Sequence, residues 1–169
     1  CSSDLFSRPT ARIRFSKNAI VCPYKDVTAF EFRIVNERAN QLINLSARLV
    51  MSRLELEIGG IKRKFYDLPI ERTQVMFFPL HWTIVHPIDE HSPLRGISPE
   101  QLAASDAEFL VLLTGIDDTF SQTVYTWSSY KHDEVVWNSR FTNILEDLAD
   151  GSVKIDLSRI DELEQVRAA

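Results

Sequence analysis

Ile43-Asn44-Leu45-Ser46-Ala47-Arg48-Leu49-Val50-Met51-Ser52-Arg53-Leu54-Glu55-Leu56-Glu57-Ile58-Gly59-Gly60-Ile61-Lys62-Arg63-Lys64-Phe65 is the stretch that decides the fold class. Ile43, Leu45, Ala47, Leu49 and Met51 recur at every second position, the period of a strand with one buried face. Leu54, Leu56 and Ile58 fall on the other parity. A one-residue slip turns every side chain over, so the flip predicts a bulge or bend near Ser52-Arg53. Gly59-Gly60 then reads as a two-residue loop able to take positive φ at both positions. Alternation resumes at Ile61, Arg63 and Phe65. The stretch is a β-hairpin.

The same period runs outward from it. Phe30, Phe32 and Ile34 alternate with Glu31 and Arg33. Leu80, Trp82 and Ile84 alternate until Pro87, which cannot donate to a ladder and is expected to stop the strand. Phe109 to Leu113 is apolar on both parities and predicts a strand covered on both faces. Thr123 to Trp127, Phe141 to Leu145 and Val153 to Leu157 are further expected strands, the last two joined through Asp150-Gly151. Ser98-Pro99-Glu100-Gln101 combines a capping serine, proline at the first helical position and glutamine at the third, predicting a helix over Pro99 to Ala104. Ser158 is expected to cap a final helix carrying Ile160, Leu163 and Val166. Short strands with turn signals between them give an all-β class, a β-sandwich with one or two short helices.

With 169 residues the chain fits one domain, and a formal charge of −5 argues against a nucleic-acid partner, which calls for a basic excess. The longest apolar run, Phe109 to Leu113, is far short of the ~20 residues that span a bilayer. Cys1-Ser2-Ser3-Asp4 is also how a processed bacterial lipoprotein begins, so a lipoprotein binding module is the alternative function. Cys1 and Cys22 read as free thiols.

The search for chemistry is sparse. His81, His86 and His91, five apart, match neither a strand face nor a zinc motif and read as satisfied polar side chains near a turn. There is no P-loop and no nucleophile elbow, and Cys22 has no histidine nearby. Asn44-Leu45-Ser46 is a glycosylation triplet in mid-strand. Lys62-Arg63-Lys64 reads as a solvated strand edge. Asp89-Glu90 and Asp117-Asp118 fall in loops, as turn formers, cation contacts or acid/base groups. A hydrolase using Asp89, Glu90 and His91 is the third hypothesis. The residues predict no enzyme, no cofactor and no metal.

Longer motifs narrow the field. Phe77-Phe78-Pro79-Leu80-His81-Trp82-Thr83-Ile84-Val85-His86-Pro87-Ile88-Asp89-Glu90-His91-Ser92-Pro93-Leu94 resembles the central signature of the cytoplasmic domain of inward-rectifier potassium channels. Ser105-Asp106-Ala107-Glu108-Phe109-Leu110-Val111-Leu112-Leu113-Thr114-Gly115-Ile116-Asp117-Asp118 is similar to a second block. Ser128-Ser129-Tyr130-Lys131-His132-Asp133-Glu134-Val135-Val136-Trp137-Asn138-Ser139-Arg140-Phe141 is similar to a third. Phe15 to Ile20 and Phe32 to Arg38 fit in the expected order. The resemblance runs from Phe6 to Ile160, and Phe65-Tyr66-Asp67-Leu68 with Glu71-Arg72 is closer to the prokaryotic branch.

The resemblance implies an immunoglobulin-like β-sandwich at residues 15–157, a linker from a missing transmembrane helix at 1–14 and a helix or tail at 158–169. It implies a homotetramer on the cytoplasmic face of a bacterial inner membrane, extending the path of potassium ions from the transmembrane pore. It also implies a gating role in ion transport, grouped with voltage-gated channels. Asn44 and Thr114 occupy positions where strong rectifiers carry carboxylates that hold magnesium and polyamines. Thr114, Gly115, Ile116, Asp117 and Asp118 correspond to the family's gating loop, with both aspartates expected to ring the axis. Arg8 and Arg38 correspond to basic positions beside anionic lipid; Arg12 and Arg14 join them by charge alone. Asn138 replaces the family's usual glycine, and asparagine tolerates positive φ.

Overall fold

Alternating apolar rows bury themselves only when two sheets face one another, and this chain builds two. The computed structural model describes residues 12–37, 41–78 and 81–166. The strands are β1 (Ile13–Phe15), β2 (Ala19–Tyr24), β3 (Val27–Asn36), β4 (Leu42–Glu57), β5 (Gly60–Asp67), β6 (Gln74–Phe77) and β7 (His81–Ile88). After the helix α1 (Pro99–Ala104) come β8 (Glu108–Asp117), β9 (Gln122–Lys131), β10 (Val135–Trp137), β11 (Ser139–Phe141), β12 (Leu145–Asp147), β13 (Val153–Ile155) and β14 (Leu163–Gln165). One sheet holds β1, β2, β3, β7 and β10; the other has the order β5-β4-β8-β9, with β6 also on β4. β11–β14 and β12–β13 form two short ribbons.

This is the expected all-β sandwich. Its core is aromatic across the layers: Phe30 of one sheet stacks on Phe109 of the other at 4.3 Å, and Phe32 meets Tyr130 at 5.5 Å. Each of these phenylalanines is fully buried, worth ~1.5–3 kcal/mol apiece. The Tyr130 hydroxyl donates to the Ser16 carbonyl at 2.8 Å, satisfying its polar end. α1 starts where expected: Ser98 accepts from the Gln101 N–H, and the Gln101 side chain accepts from the Ser98 N–H.

Several expectations are corrected. The β4–β5 register is unbroken from Val50↔Asp67 to Leu56↔Ile61, so no bulge lies at Ser52-Arg53. The bulge is at the other end of β4, between Ile43 and Ser46. Beyond Ser52, β4 outruns its pairing with β8 and continues as a two-stranded arm. There the core-side parity carries Arg53, Glu55 and Glu57, bonded to Pro93, Tyr66 and Lys64. Leu54, Leu56 and Ile61 share the outer parity. The hairpin loop is Ile58-Gly59, because Gly60 already pairs with Glu57; both glycines have positive φ, 99° and 127°.

Pro87 stays inside β7, opposite Ala29, where an edge strand tolerates a missing N–H. Phe109 to Leu113 is covered on one face only, since Leu112 is exposed. Residues 142–144 separate β11 from β12 instead of forming one strand. The expected final helix is absent: Leu157–Arg159 is a single 3₁₀ turn capped by Asp156, and β14 follows, paired with β11. The sheets also start before residue 15, because Ile13 pairs with Asn36.

Arg33 accounts for the lost helix. It is buried on β3, and its guanidinium donates to the carbonyls of Ile160 (2.7 Å), Thr142 (2.7 Å), Arg159 (2.8 Å) and Glu162 (3.4 Å). Phe141 lies 4.5 Å from its carbon. The C-terminal chain wraps this one cation and buries Ile144 and Ile160 against Val35.

Two outcomes are expected. Arg33→Met leaves the Ile160 and Thr142 carbonyls without their donors, at about 1–3 kcal/mol each, while the Arg159 carbonyl keeps the Glu162 N–H, so the urea midpoint should fall steeply. Arg33→Lys should recover little, since one ammonium cannot span them; a midpoint equal to wild type would count against the clamp. His86 is buried between the Pro69 carbonyl (2.5 Å from Nδ1) and Ser92 Oγ (2.7 Å from Nε2). Burial holds its pKa below the ordinary 6.5. The unfolded chain therefore binds the proton first, and stability should decline as pH falls below about 6.5 toward the folded value. His86→Gln should remove that slope; an identical pH profile for both proteins would refute its origin.

Candidate functional site

The residues aligned with the gating loop lie where β4 begins and β8 ends. Leu42 pairs with Asp117 and Ile43 with Ile116; the register then shifts and resumes at Ser46↔Thr114. Asn44 and Leu45 therefore both face Gly115. Asn44 takes the extra residue in a left-handed conformation, φ 50°, which asparagine accepts better than most residues. Leu45 remains buried. A Cβ on Gly115 would lie 3.1 Å from Leu45 Cδ1.

Gly115 sits within β8 opposite Val124 and makes no turn. Its missing side chain admits Leu45. The strand itself runs to Asp117, so the loop is residues 118–121, closed by Ser121 at φ 50°.

The two aspartates separate. Asp117 is 1 % exposed, and its Oδ1 accepts from the N–H groups of Thr119 (2.9 Å) and Phe120 (3.3 Å). It builds the turn from inside the protomer, which corrects its placement as an axial carboxylate. Asp118 is exposed, and its N–H donates to the Gln41 carbonyl at 3.0 Å. Asn44, Thr114 and Ile116 are half-buried. One end of the sheet thus gathers an amide, a hydroxyl, an apolar side chain and one solvated carboxylate.

The basic cluster divides as well. Arg8 and Arg38 lie outside the described residues, as does Cys1. Arg12 bridges Glu37 at 3.1 Å, while Arg14 reaches Glu37 at 3.6 Å and Asp161 at 3.5 Å. Glu37 is five residues before Leu42, so this cluster and the 118–121 turn share one end of the sandwich.

The other sequence candidates are structural. Asp89 Oδ1 accepts from the His91 N–H at 2.9 Å, an Asx turn with Glu90 and His91 in solvent. Cys22 is buried beside Glu31, and burial pushes its thiol up to about 12, away from nucleophilic use. It floors a cleft of about 290 Å³ with Glu31, His81 and Arg140. Burial raises the Glu31 pKa and lowers that of His81, which also feels Arg33. Among the described residues no group of three His, Cys, Asp or Glu side chains could hold a metal ion, and no helix is long and apolar enough to cross a membrane. Asn138 adopts φ 53°, as its tolerance allows.

Sequence reasoning missed Leu45, whose fit against Gly115 fixes the bulge. Alternation from Ile43 through Ala47 gives no sign of it; the signal is Gly115, the strand glycine that receives Leu45. It also missed Arg33, which period two places on an outer face.

Comparison with known proteins identifies the family. Residues 13–169 match the family described as inward rectifier potassium channel C-terminal domain. Inward rectifier potassium channel Kirbac3.1 of Paramagnetospirillum magnetotacticum is 37 % identical over 161 residues, covering 95 % of this chain and 55 % of its own. ATP-sensitive inward rectifier potassium channel 8 of Mus musculus is 30 % identical over 160 residues, covering 91 % of this chain and 37 % of its own. ATP-sensitive inward rectifier potassium channel 12 of Bos taurus is 28 % identical over 180 residues, with 95 % and 39 % covered. The chain thus spans about half the length of these relatives, or less. The expected grouping with voltage-gated channels is corrected, because these relatives are inward rectifiers, a class that is not voltage-gated. The chain belongs to the inward rectifier potassium channel family and corresponds to its C-terminal domain.

Proposed function

We propose that this chain is the cytoplasmic pore-extending and gating domain of a potassium channel at the bacterial inner membrane. Four copies surround the ion path below a transmembrane pore supplied by the rest of the channel. One observation carries the reading: the β4 bulge sets Asn44 beside Gly115 and one position from Thr114, with the exposed Asp118 at the end of the same strand, bonded to Gln41. Small polar groups, Ile116 and a solvated carboxylate at one strand end form a ring under fourfold symmetry. Such a ring concentrates cations and narrows the path without binding any ion tightly. Neutral Asn44 and Thr114 give magnesium and polyamines no charge to hold, which makes rectification weak. Family membership favours this reading over a lipoprotein module.

Arg8, Arg12, Arg14 and Arg38 would meet anionic lipid and couple it to gating. A basic side chain near an anionic leaflet gains about 1 kcal/mol. Arg12 and Arg14 already lean on Glu37 and Asp161, so lipid must compete with internal carboxylates.

Potassium flux through the intact channel in vesicles tests the reading. Asn44→Asp with Thr114→Glu adds two carboxylates per copy, and spermine should then block at concentrations at least tenfold lower. An unchanged block would take these positions off the ion path. Asp118→Asn should lower flux most at low ionic strength, where screening is weak. Asp117→Ala should instead destabilise the turn by about 1–3 kcal/mol through two orphaned N–H groups. Equal flux at low salt for Asp118→Asn and wild type would remove the aspartate from permeation.

A further inference from the structure

The outer face of the β5-β4-β8-β9 sheet is apolar at both edges. On β5 and the adjoining arm, Leu56, Ile61 and Phe65 are 83 %, 68 % and 63 % exposed. Across the sheet, Leu112, Tyr125 and Trp127 are 41 %, 71 % and 83 % exposed. Leu112 and Trp127 are paired neighbours on β8 and β9. With Val50, Leu110 and the Arg48 stem they line an open groove of about 700 Å³. The register puts both clusters on one parity. From Ser52↔Phe65 the outer row runs through Val50↔Leu110, and from Arg48↔Leu112 to Trp127. β5 and β9 are the two edge strands, about 15 Å apart across three inter-strand spacings.

A monomeric surface rarely carries this much contiguous apolar area. In a cyclic tetramer each copy touches two neighbours through two different patches, so a ring needs complementary surfaces on opposite sides of the protomer. An isologous dimer would need only one. Here two unlike apolar clusters occupy opposite edges of one sheet: a projecting ribbon carrying Leu56, Ile61 and Phe65 and a groove walled by an indole. We propose that the β5 edge of one copy, through Ile61 and Phe65, seats against the Leu112–Trp127 groove on the β9 edge of the next. This rests on the tetrameric reading above and names its contact. Arg63 interrupts the apolar row but is already bonded to Asp106 (2.7 Å) and Ser52 (2.8 Å), so its burial leaves no charge unpaired.

Light scattering of this chain across a concentration series, with cysteine cross-linking, tests it. Trp127→Ser and Phe65→Ser should each raise the concentration for half-assembly at least tenfold. Their urea midpoints as monomers should match wild type, because both side chains are exposed. In a Cys1→Ser background, Ile61→Cys combined with Trp127→Cys should give an oxidised ladder ending at four chains, and neither cysteine alone should pass two. Tetramers undisturbed by both serine variants, without a ladder, would overturn the edge-to-edge contact and leave the tetramer standing. Wild-type chain that stays monomeric at every concentration would overturn the tetrameric reading itself, and the contact with it.

Discussion

A buried guanidinium held by uncharged oxygens organises the C-terminal segment of this domain. Arg33 makes no carboxylate pair among the described residues; its partners are backbone carbonyls on either side of the β12–β13 ribbon. Removing a cation from water is costly unless its donors are filled, and here three of the contacts are 2.8 Å or shorter. Burial lowers its pKa to about 10, still far above neutrality, so the charge is permanent. Only a planar fork can reach carbonyls that diverge this way. The described chain beyond Trp137 gathers around that requirement: the ribbons, the small core around Ile144 and Ile160, and Asp161, which accepts from the Lys17 N–H at 2.6 Å.

The same clamp explains what sequence could not show. Ile160, Leu163 and Val166 are spaced for a helical face, and Ser158 follows a capping pattern. A helix there would turn the carbonyls of Arg159, Ile160 and Glu162 toward its own N–H groups. Arg33 takes them instead, and the chain extends into β14. No window around Ser158 contains that competitor, because it lies on β3. A local signal that closes within a few residues was legible, the Ser98–Gln101 box, whereas the positive φ of Asn138 followed from the family resemblance.

Periodicity was read correctly and assigned to the wrong cause at Ser52-Arg53. Parity flips either because the strand bulges or because the side that is apolar changes. Where β4 leaves β8, its inner row meets Pro93 and Tyr66 and becomes polar, while its outer row turns apolar. Leu110 and Leu112 carry the same ambiguity: a second apolar row says that something covers it, not whether that is the same chain. The true bulge, at Asn44-Leu45, was hidden because Ile43, Leu45 and Ala47 keep an unbroken alternation through it. Its real marker is Gly115, seventy residues away, whose missing Cβ receives Leu45.

Strand β4 connects these features mechanically. It begins at the bulge beside Gly115, runs sixteen residues and ends in the exposed arm. β8 pairs with it on one side, and β6 and then β5 on the other. A strand paired on both sides moves as a body, because sliding it by one residue would turn its core row into solvent. On the proposed assembly, the strand that presents Leu56 toward a neighbouring copy is also the strand that positions Asn44 beside the ion path. A shift between neighbours then reaches the turn at residues 118–121 through the β4–β8 ladder, with Leu45 against Gly115 as its last contact. Leu45 there occupies the space that a Cβ on Gly115 would need, 3.1 Å from its Cδ1, so the two strands meet at the bulge through packing as well as through the ladder that leads to Asp117 and the turn it holds.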